Sequence, residues 1–556
     1  MKSANKNIPF EFYTDFFKVL TIFLFLLVFI YFYNLGNTGL IDVDEPRYAE
    51  AGREMLESGN WVVPYFNYVV RYDKPIFFYW LEAISMKVFG VSEFAARLPS
   101  TLTAMLCLGF VFYFVKTFYN YVASLLAVLI LMTSFEFVAL SRFSVTDMTL
   151  TSFMSCSLIC FFLGYSQLLS SHRFYKLQIT EFTWWYPLAF FFLALGFLTK
   201  GPVTIILFGL VIVPFFWWIG QISFFFKNKS FWIGFVLFLL IILPWYISVH
   251  VATAGEFTKT FFGIHNFSRY TGVVSGHKGS IFYFIPVILI GFLPWIFFLP
   301  QAINSILKKG LRVLLVSPKT QLPWFCLWWF LIIFLFFSFS RTKLLTYVLA
   351  VFPALSIIVA LWFDELLSKH LNNRGLVIGL GVFFLFTLAF LLLCVFNFNL
   401  ILPREVKDLG LDIQIVSFAF ILFVGVSMAW ASSHRDVSMT IAIILFTFTL
   451  VYFCLIGFVL PKVDKHSQKT LRRFAISMPR DVEVVTYQII KPSLTFYSKR
   501  QIEKIDSLSK IQEKLNQPGR FAFVTKKKIL NGYVPENSYP WGRDSRYVFF
   551  TNYPLK

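Results

Sequence analysis

The polar run IDVDEPRYAEAGREMLESGNWVVPYFNYVVRYDKP occupies residues 41–75, between long runs of Phe, Leu, Ile and Val. It is too highly charged to span a bilayer. Apolar residues recur along it at helical spacing, which predicts an amphipathic helix with Asp44 as N-cap and Gly59 as C-terminal stop. The charged side of this helix is expected to face water or headgroups. A second, aromatic-rich helix should end at Gly90, so residues 41–90 are predicted to lie along a membrane surface.

The composition outside this run is that of a polytopic membrane protein. Hydrophobic residues make up 58% of the 556-residue chain and charged residues only 14%, far from the make-up of a soluble domain. Apolar windows of bilayer-spanning length predict about thirteen spans, at 16–34, 97–116, 122–138, 145–169, 185–199, 203–220, 231–249, 281–299, 322–339, 344–362, 375–396, 413–431 and 438–460. We therefore expect an all-α membrane domain over residues 1–460.

Basic residues are distributed unevenly between the loops that join these windows. With a cytoplasmic N-terminus, the loops on the inner side carry basic residues, which fits the positive-inside rule. They are Arg173, Lys176, Lys227, Lys229, Lys308, Lys309, Arg312, Lys319, Lys369, Arg374 and Arg435. The 41–90 loop and the segment that begins at Pro461 are then predicted to lie on the outer side.

The composition changes at Pro461, where a mixed polar sequence begins and continues to residue 556. Alternating apolar residues predict strands at 482–490, 520–524 and 547–551, and a helix is expected at 507–516. This pattern is typical of a small α/β domain. Residues 461–556 hold 19 Lys and Arg against 8 Asp and Glu. That excess suits either contact with anionic membrane lipids or an ordinary soluble basic domain, and no nucleic-acid partner is expected on the outer side.

Polar residues from distant parts of the chain are predicted to meet at the outer ends of the spans. They are Asp44, Glu45, Arg47, Asp73, Lys74, Arg142, Asp147, Lys200, His265, Arg269, Arg341, Lys343 and Tyr347. Cations of this kind stabilise a leaving phosphate, and a fixed carboxylate orients or activates the attacking group. The set favours sugar transfer from a polyprenyl-phosphate donor. The alternative from another class is a transporter or flippase for lipid-linked sugars, which would place its ionisable residues near the bilayer midplane.

Several segments resemble one class of membrane enzymes. They are DEPRYAEAGREMLESGNWVVPYFNYVVRYDKP, GVSEFAARLPS, SVTDMTLT, LTKGP, SRTKLLTYVLAVFPAL and PSLTFYSKR. They are similar to parts of the bacterial aminoarabinose transferases that modify lipid A and, more distantly, of protein O-mannosyltransferases, all GT-C glycosyltransferases. The resemblance implies a polyprenyl-phosphate sugar donor, lipid A or a related glycolipid as acceptor, and an active site on the periplasmic side of a bacterial inner membrane. A protein O-glycosyltransferase with the same type of donor is the alternative within the class.

The resemblance also implies roles for single residues. Asp44 and Asp147 would be the catalytic carboxylates, and the donor phosphate would be bound by Lys74, Lys200, Arg269, Lys343 and Tyr347. The substrate cavity would further contain Glu45, Arg47, Tyr48, Tyr72 and Arg142. Asp73 replaces a Glu of the family and would be a zinc ligand together with His265. Because two protein ligands are few for zinc, a divalent metal such as zinc is only a possible cofactor, and the sequence does not decide whether one is required.

The need for a catalytic base depends on the acceptor. A phosphate acceptor is already anionic and needs none, whereas a sugar or serine hydroxyl must lose a proton to Asp44 or Asp147. As an N-cap, Asp44 would accept backbone N–H bonds, which favour its ionised form and make it a weak base.

Overall fold

The computed structural model of the chain describes residues 10–175, 182–263, 279–369, 374–401, 425, 436–543 and 546–554. Up to residue 467, the described part of the chain is mostly helical. In chain order, its helices are α1 Phe10–Phe32, α2 Asp44–Ser58, α3 Phe77–Phe89, α4 Glu93–Phe118, α5 Tyr121–Met132, α6 Phe135–Ser141, α7 Thr146–Tyr175, α8 Trp185–Lys200, α9 Val203–Trp218, α10 Ile222–Phe226, α11 Lys229–Ala252, α12 Glu256–Thr260, α13 Phe284–Gly291, α14 Leu299–Lys308, α15 Pro318–Phe339, α16 Phe352–Lys369, α17 Arg374–Ile401, α18 Val437–Cys454 and α19 Leu460–Ser467.

Six helices in the described residues are long and apolar enough to cross a membrane, or up to eight spans if each bent pair counts as one. The pair α5 and α6 bends by 69°, and α13 bends by 104° against the helical stretch 295–308. At the first bend, the hydroxyl groups of Thr133 and Ser134 donate to carbonyls of the preceding turn. At the second, Pro294 has no N–H to continue the helix.

The predicted windows coincide with these helices and with the shorter apolar ones, α1, α8, α9 and α17. The window 413–431 lies outside the described residues, apart from residue 425. The predicted total number of spans therefore stays a prediction.

Helix α2 departs from the sequence prediction in two respects. Val43, not Asp44, occupies the N-cap position, and no side chain caps the helix. The expectation that its charged side faces water is also wrong, because Glu50, Arg53 and Glu54 are all buried. Tyr68 contacts two of them, since the Arg53 guanidinium donates to its hydroxyl and its backbone N–H donates to Glu54. Helix α2 also packs against α3 and against the helix Pro492–Ser498 of the C-terminal domain. The predicted stop at Gly59 is confirmed, with a left-handed φ of 68°.

A two-stranded hairpin follows α2 and leads to the second predicted surface helix. Strands β1 Tyr65–Phe66 and β2 Val69–Val70 pair antiparallel. Asn67 and Tyr68 form the turn with φ values of 57° and 61°, as a two-residue hairpin turn requires. Helix α3 then begins two residues after Pro75 and ends before Gly90, as predicted.

The residues from 469 form a small α/β domain. Its elements are α20 Lys469–Ser477, β3 Glu483–Tyr487, α21 Pro492–Ser498, β4 Glu503–Ile505, α22 Leu508–Asn516, β5 Phe521–Lys526, α23 Lys527–Leu530, β6 Tyr539–Arg543 and β7 Tyr547–Thr551. The strand order is β4-β3-β5-β7-β6, with β3 parallel to β4 and β5 and the last three strands antiparallel. The three predicted strands and the predicted helix are confirmed, whereas β4, β6 and the other helices were not predicted.

Candidate active site

A cavity of about 560 Å³ lies where the start of α7, the end of α8 and the start of α9 meet the end of α15. Its wall is mostly apolar, with side chains such as Ile206, Leu207, Leu210, Phe262 and Phe336. Its polar lining includes Lys74, Asp147, Lys200 and Tyr347. The sequence predicted these four as site residues, and the structure brings them together although they come from four separate parts of the chain.

An ion pair forms the centre of this polar group. Lys200 Nζ lies 2.5 Å from Asp147 Oδ1 and 5.0 Å from the centre of the Tyr347 ring. Lys200 is the last residue of α8, and Asp147 stands in the first turn of α7, so each charge also complements its helix dipole. Lys74 lies within electrostatic reach of the same carboxylate. Two ammonium groups therefore accompany one carboxylate, an arrangement that favours binding of an anion such as phosphate.

Tyr48 links Asp44 to this cavity. Burial raises the pKa of the Tyr48 hydroxyl, the charge of Arg71 lowers it, and the charges of Asp147 and Asp44 raise it again. Both carboxylates therefore act on one phenol, although Asp44 itself is exposed and belongs to α2. The hydroxyl of Tyr48 consequently keeps its proton and can donate a hydrogen bond.

Arg71 is a buried cation that the sequence patterns do not single out. Its guanidinium lies 4.9 Å from the centre of the Tyr48 ring and 5.7 Å from that of Tyr79, donates to the backbone carbonyl of Arg47 at 2.7 Å, and lies 3.5 Å from Asp73. Aromatic faces and one exposed carboxylate thus hold a fixed positive charge beside the site. The signal in the sequence is the Arg directly before Tyr72 and Asp73, inside the run that matches the family.

Glu45 connects α2 to α4 and to Ser144, just before α7. Its carboxylate pairs with Arg97 of α4 at 2.9 Å and accepts the backbone N–H of Ser144 at 2.9 Å. The Ser144 hydroxyl donates to Glu82 of α3. Burial raises the pKa of Glu82 well above its ordinary value, although the hydrogen bond from Ser144 and the charge of Arg71 lower it. Glu45 and Glu82 therefore join three helices below Asp44.

Three further predicted residues lie outside the lining of the cavity. Arg142 donates to three backbone carbonyls at the end of α1, at 2.6 to 2.8 Å, and lines a second cavity of about 320 Å³. The Lys343 ammonium donates to the carbonyls of Phe337 and Ser338 at 2.8 and 2.6 Å. Tyr72 packs against Phe257, with ring centres 6.2 Å apart.

The predicted zinc ligands cannot be compared as a pair, because His265, like Arg269, lies outside the described residues. Asp73 is partly exposed and faces Arg71. Within the described ranges, no group of three or more His, Cys, Asp and Glu side chains is placed to hold a metal ion.

Comparison with known proteins shows the family to which the chain belongs. The model of dolichyl-phosphate-mannose-protein mannosyltransferases matches residues 16–258. An undecaprenyl phosphate-alpha-4-amino-4-deoxy-L-arabinose arabinosyl transferase of Aeromonas salmonicida is 30% identical over 420 residues, which are 74% of this chain and 73% of the relative. The chain belongs to this family of arabinosyl transferases. The family predicted from the sequence is thereby confirmed.

Other members match a shorter stretch. The transferase of the same description from Shewanella sediminis is 33% identical over 356 residues, which are 63% of this chain and 60% of the relative. One from Proteus mirabilis is 33% identical over 362 residues, 64% of this chain and 61% of the relative. These matches thus span less than two thirds of those relatives' length.

The family fold is also that of a solved structure. The crystal structure of ArnT from Cupriavidus metallidurans bound to undecaprenyl phosphate superposes with a TM-score of 0.79, over 96% of this chain and 98% of that one. The sequences are 23% identical, so the likeness concerns the fold. The predicted class, a helical GT-C membrane domain with a small α/β domain, is confirmed.

Proposed function

We propose that the protein is an integral membrane glycosyltransferase that moves a sugar from a polyprenyl-phosphate donor to lipid A or a related envelope glycolipid. The sugar is 4-amino-4-deoxy-L-arabinose or a similar amino sugar or hexose. The observation that carries the proposal is the cavity that joins a long apolar wall to Lys74, Lys200, Asp147 and Tyr347. A polyprenyl phosphate has the same two parts, an apolar chain and an anionic head. The names of the relatives support both the donor and the sugar.

In the proposed step, an acceptor oxygen forms a bond to C1 of the sugar while the bond between C1 and the phosphate oxygen breaks. The bonding electrons leave with the phosphate, and the lipid phosphate is released. Lys74 and Lys200 stabilise the charge that develops on it, because fixed cations in a site shielded from water act strongly on such charge. The Tyr347 ring beside Lys200 keeps that ammonium oriented.

The two carboxylates take different parts. Asp147 is held 2.5 Å from Lys200 and is mostly buried, so its role is to orient that ammonium. Asp44 is exposed and makes no cap to α2, which leaves it accessible to an acceptor. If the acceptor is a hydroxyl group, Asp44 takes its proton as the new bond forms. If the acceptor is a phosphate, Asp44 only orients it.

The proposed step uses only side chains of the chain itself. Asp73, the candidate zinc ligand, faces the guanidinium of Arg71 at 3.5 Å, and an ion would have to compete with that charge. Metal analysis of the purified protein, before and after dialysis against a chelator, tests for a bound ion directly, and transfer activity after dialysis tests whether it is required.

The proposed location is a bacterial inner membrane, with the cavity and the C-terminal domain on the periplasmic side and membrane lipids around the spans. The basic residues of the opposite loops support this orientation. Single cysteines introduced at exposed positions test it. A cysteine at Lys510 of the C-terminal domain should react with an impermeant thiol reagent in intact spheroplasts, and one at Lys227 should react only after lysis.

The mannosyltransferase model that matches residues 16–258 supports a second candidate, transfer of the sugar to a protein hydroxyl. Mass spectrometry of lipid A and of envelope proteins, from cells with and without the gene, separates the two. A sugar that disappears from lipid A on deletion supports the first candidate. A sugar that disappears from proteins alone supports the second, and no change in either contradicts both.

A further inference from the structure

Asp42 connects the segment in front of Asp44 to the C-terminal domain. Its carboxylate accepts the backbone N–H of Ser493 at 3.0 Å and the Ser493 hydroxyl at 2.6 Å. Lys491 Nζ lies 3.5 Å away, and the Asp42 side chain is 2% exposed. Because Ser493 is the second residue of α21, Asp42 caps that helix from 451 positions away in the chain. Burial shields these bonds from competing water.

Tyr497, one turn further along α21, holds the same segment. The backbone N–H of Leu40 donates to its hydroxyl at 2.8 Å, and the hydroxyl donates to Glu93 of α4 at 3.0 Å. Burial raises the pKa of Tyr497, so its hydroxyl keeps the proton that it donates. Arg472 of α20 pairs with Glu93 at 2.9 Å. The C-terminal domain therefore forms hydrogen bonds with residues 40–42 and with Glu93 of α4.

These contacts also restrain the backbone next to Asp44. The N–H of Ile41 donates to the carboxylate of Glu45 at 2.9 Å, and Glu45 is fixed by Arg97. Backbone positions on both sides of Asp44 are thus anchored, while its own side chain is exposed. Only Val43 separates Asp44 from Asp42.

We propose that Ser493 is a positioning residue for Asp44: through Asp42, helix α21 holds the exposed carboxylate in its place beside Tyr48. Position matters because a displacement of about 1 Å in a catalytic group can cost about a hundred-fold in rate. The effect on rate rests on the proposed function. The effect on the backbone does not, since it follows from the contacts alone.

Hydrogen exchange of the full-length protein tests the backbone effect. Ser493→Ala removes the hydroxyl and keeps the N–H. Losing a hydrogen bond to a charged group should speed exchange in the peptide 39–47 about ten-fold. Ser498→Ala is the control, because its hydroxyl lies on the same helix and has no hydrogen-bond partner among the described residues. Equal exchange in Ser493→Ala and the wild type overturns the proposal, as does faster exchange spread evenly over the whole chain.

Transfer kinetics test the consequence for catalysis. Ser493→Ala should lower kcat about ten-fold and leave the KM for the donor unchanged, because the cavity is not altered. Asp42→Asn, which still accepts one hydrogen bond, should retain more activity than Asp42→Ala. If the wild-type protein transfers no sugar, the proposed function fails and the exchange data alone decide the positioning role. If it transfers sugar and Ser493→Ala has the kcat of the wild type, the positioning role fails and the proposed function stands.

Discussion

Removing either partner of the ion pair between Lys200 and Asp147 should destabilise the protein, and removing both should not. The side chains are 10% and 14% exposed and lie 2.5 Å apart. Loss of one partner from a buried pair costs about 3–5 kcal/mol, since it leaves an unpaired charge. Because this pair borders a cavity, we expect about 3 kcal/mol, at the lower end of that range. Asp147→Asn should cost more than Lys200→Met, because the charge of Lys74 still acts on Asp147 in the second variant, whereas the first variant removes the carboxylate on which both ammonium groups act.

The double variant Lys200→Met with Asp147→Asn tests whether the cost of each single variant comes from the charge that it leaves unpaired. It leaves no unpaired charge in the pair, so its free energy of unfolding should lie within about 1 kcal/mol of the wild-type value. Titration of the purified protein with SDS in mixed micelles, followed by tryptophan fluorescence, measures each free energy. Transfer activity should stay absent in the stable double variant, because Lys200 no longer reaches the phosphate. Additive costs in the double variant, or normal activity in it, would refute the roles given to the pair.

Two other predictions concern α2 and the cavity wall. Burial beside Glu50 raises the pKa of Glu54 from 4.5 to about 8, so its contribution to stability should be complete below pH 4.5 and lost as the pH rises to about 8. Thermal unfolding across that range should show the loss in the wild type and a weaker pH dependence in Glu54→Gln. Leu210→Trp fills part of the cavity and should raise the KM for the donor about ten-fold. Val213→Trp, on the same helix outside the cavity lining, should not, and equal KM values in the two variants would contradict the assignment of the donor site.

The sequence was sufficient for features that depend on local periodicity. The apolar windows coincide with helices because a bilayer fixes the length of a span and its apolar composition. Helix α2 was predicted by its helical repeat and its closing glycine, and β5 and β7 by alternation. The predicted topology grouped Lys74, Asp147, Lys200 and Tyr347 with other polar residues at the outer ends of the spans, the family resemblance implied their roles, and the structure places these four in one cavity.

The features that the sequence did not predict depend on contacts between segments that are distant in the chain. The charged side of α2 has the pattern of a solvated face, but Glu50 and Arg53 pair with each other there at 2.8 Å. Tyr68 contacts Arg53 on this side and donates in turn to the backbone carbonyl of Lys499 in the C-terminal domain. Periodicity cannot reveal a partner that comes from more than 400 residues away. Arg71 is equally hidden, since only the fold places Tyr48 and Tyr79 against it. The role of Arg142 was also not predictable from a local pattern, because it donates to backbone carbonyls at the end of α1, more than 100 residues away in the chain.

The role of Asp44 shows how a small error in a helix boundary alters chemistry. As an N-cap its carboxylate would be occupied by backbone N–H groups. In the structure it is the first helical residue and has no such bonds. The carboxylate is therefore accessible to an acceptor, which strengthens its candidacy as the base.

The most direct test is transfer by the purified protein in vesicles that contain lipid A and undecaprenyl phosphate carrying aminoarabinose. Mass spectrometry of the extracted lipid A compares the wild type with Asp44→Asn, at equal amounts of folded protein. We expect aminoarabinose on lipid A with the wild type, and little or none with the variant. Unmodified lipid A with a folded wild-type protein would contradict the proposed donor and acceptor, and equal modification by both proteins would remove Asp44 from the mechanism.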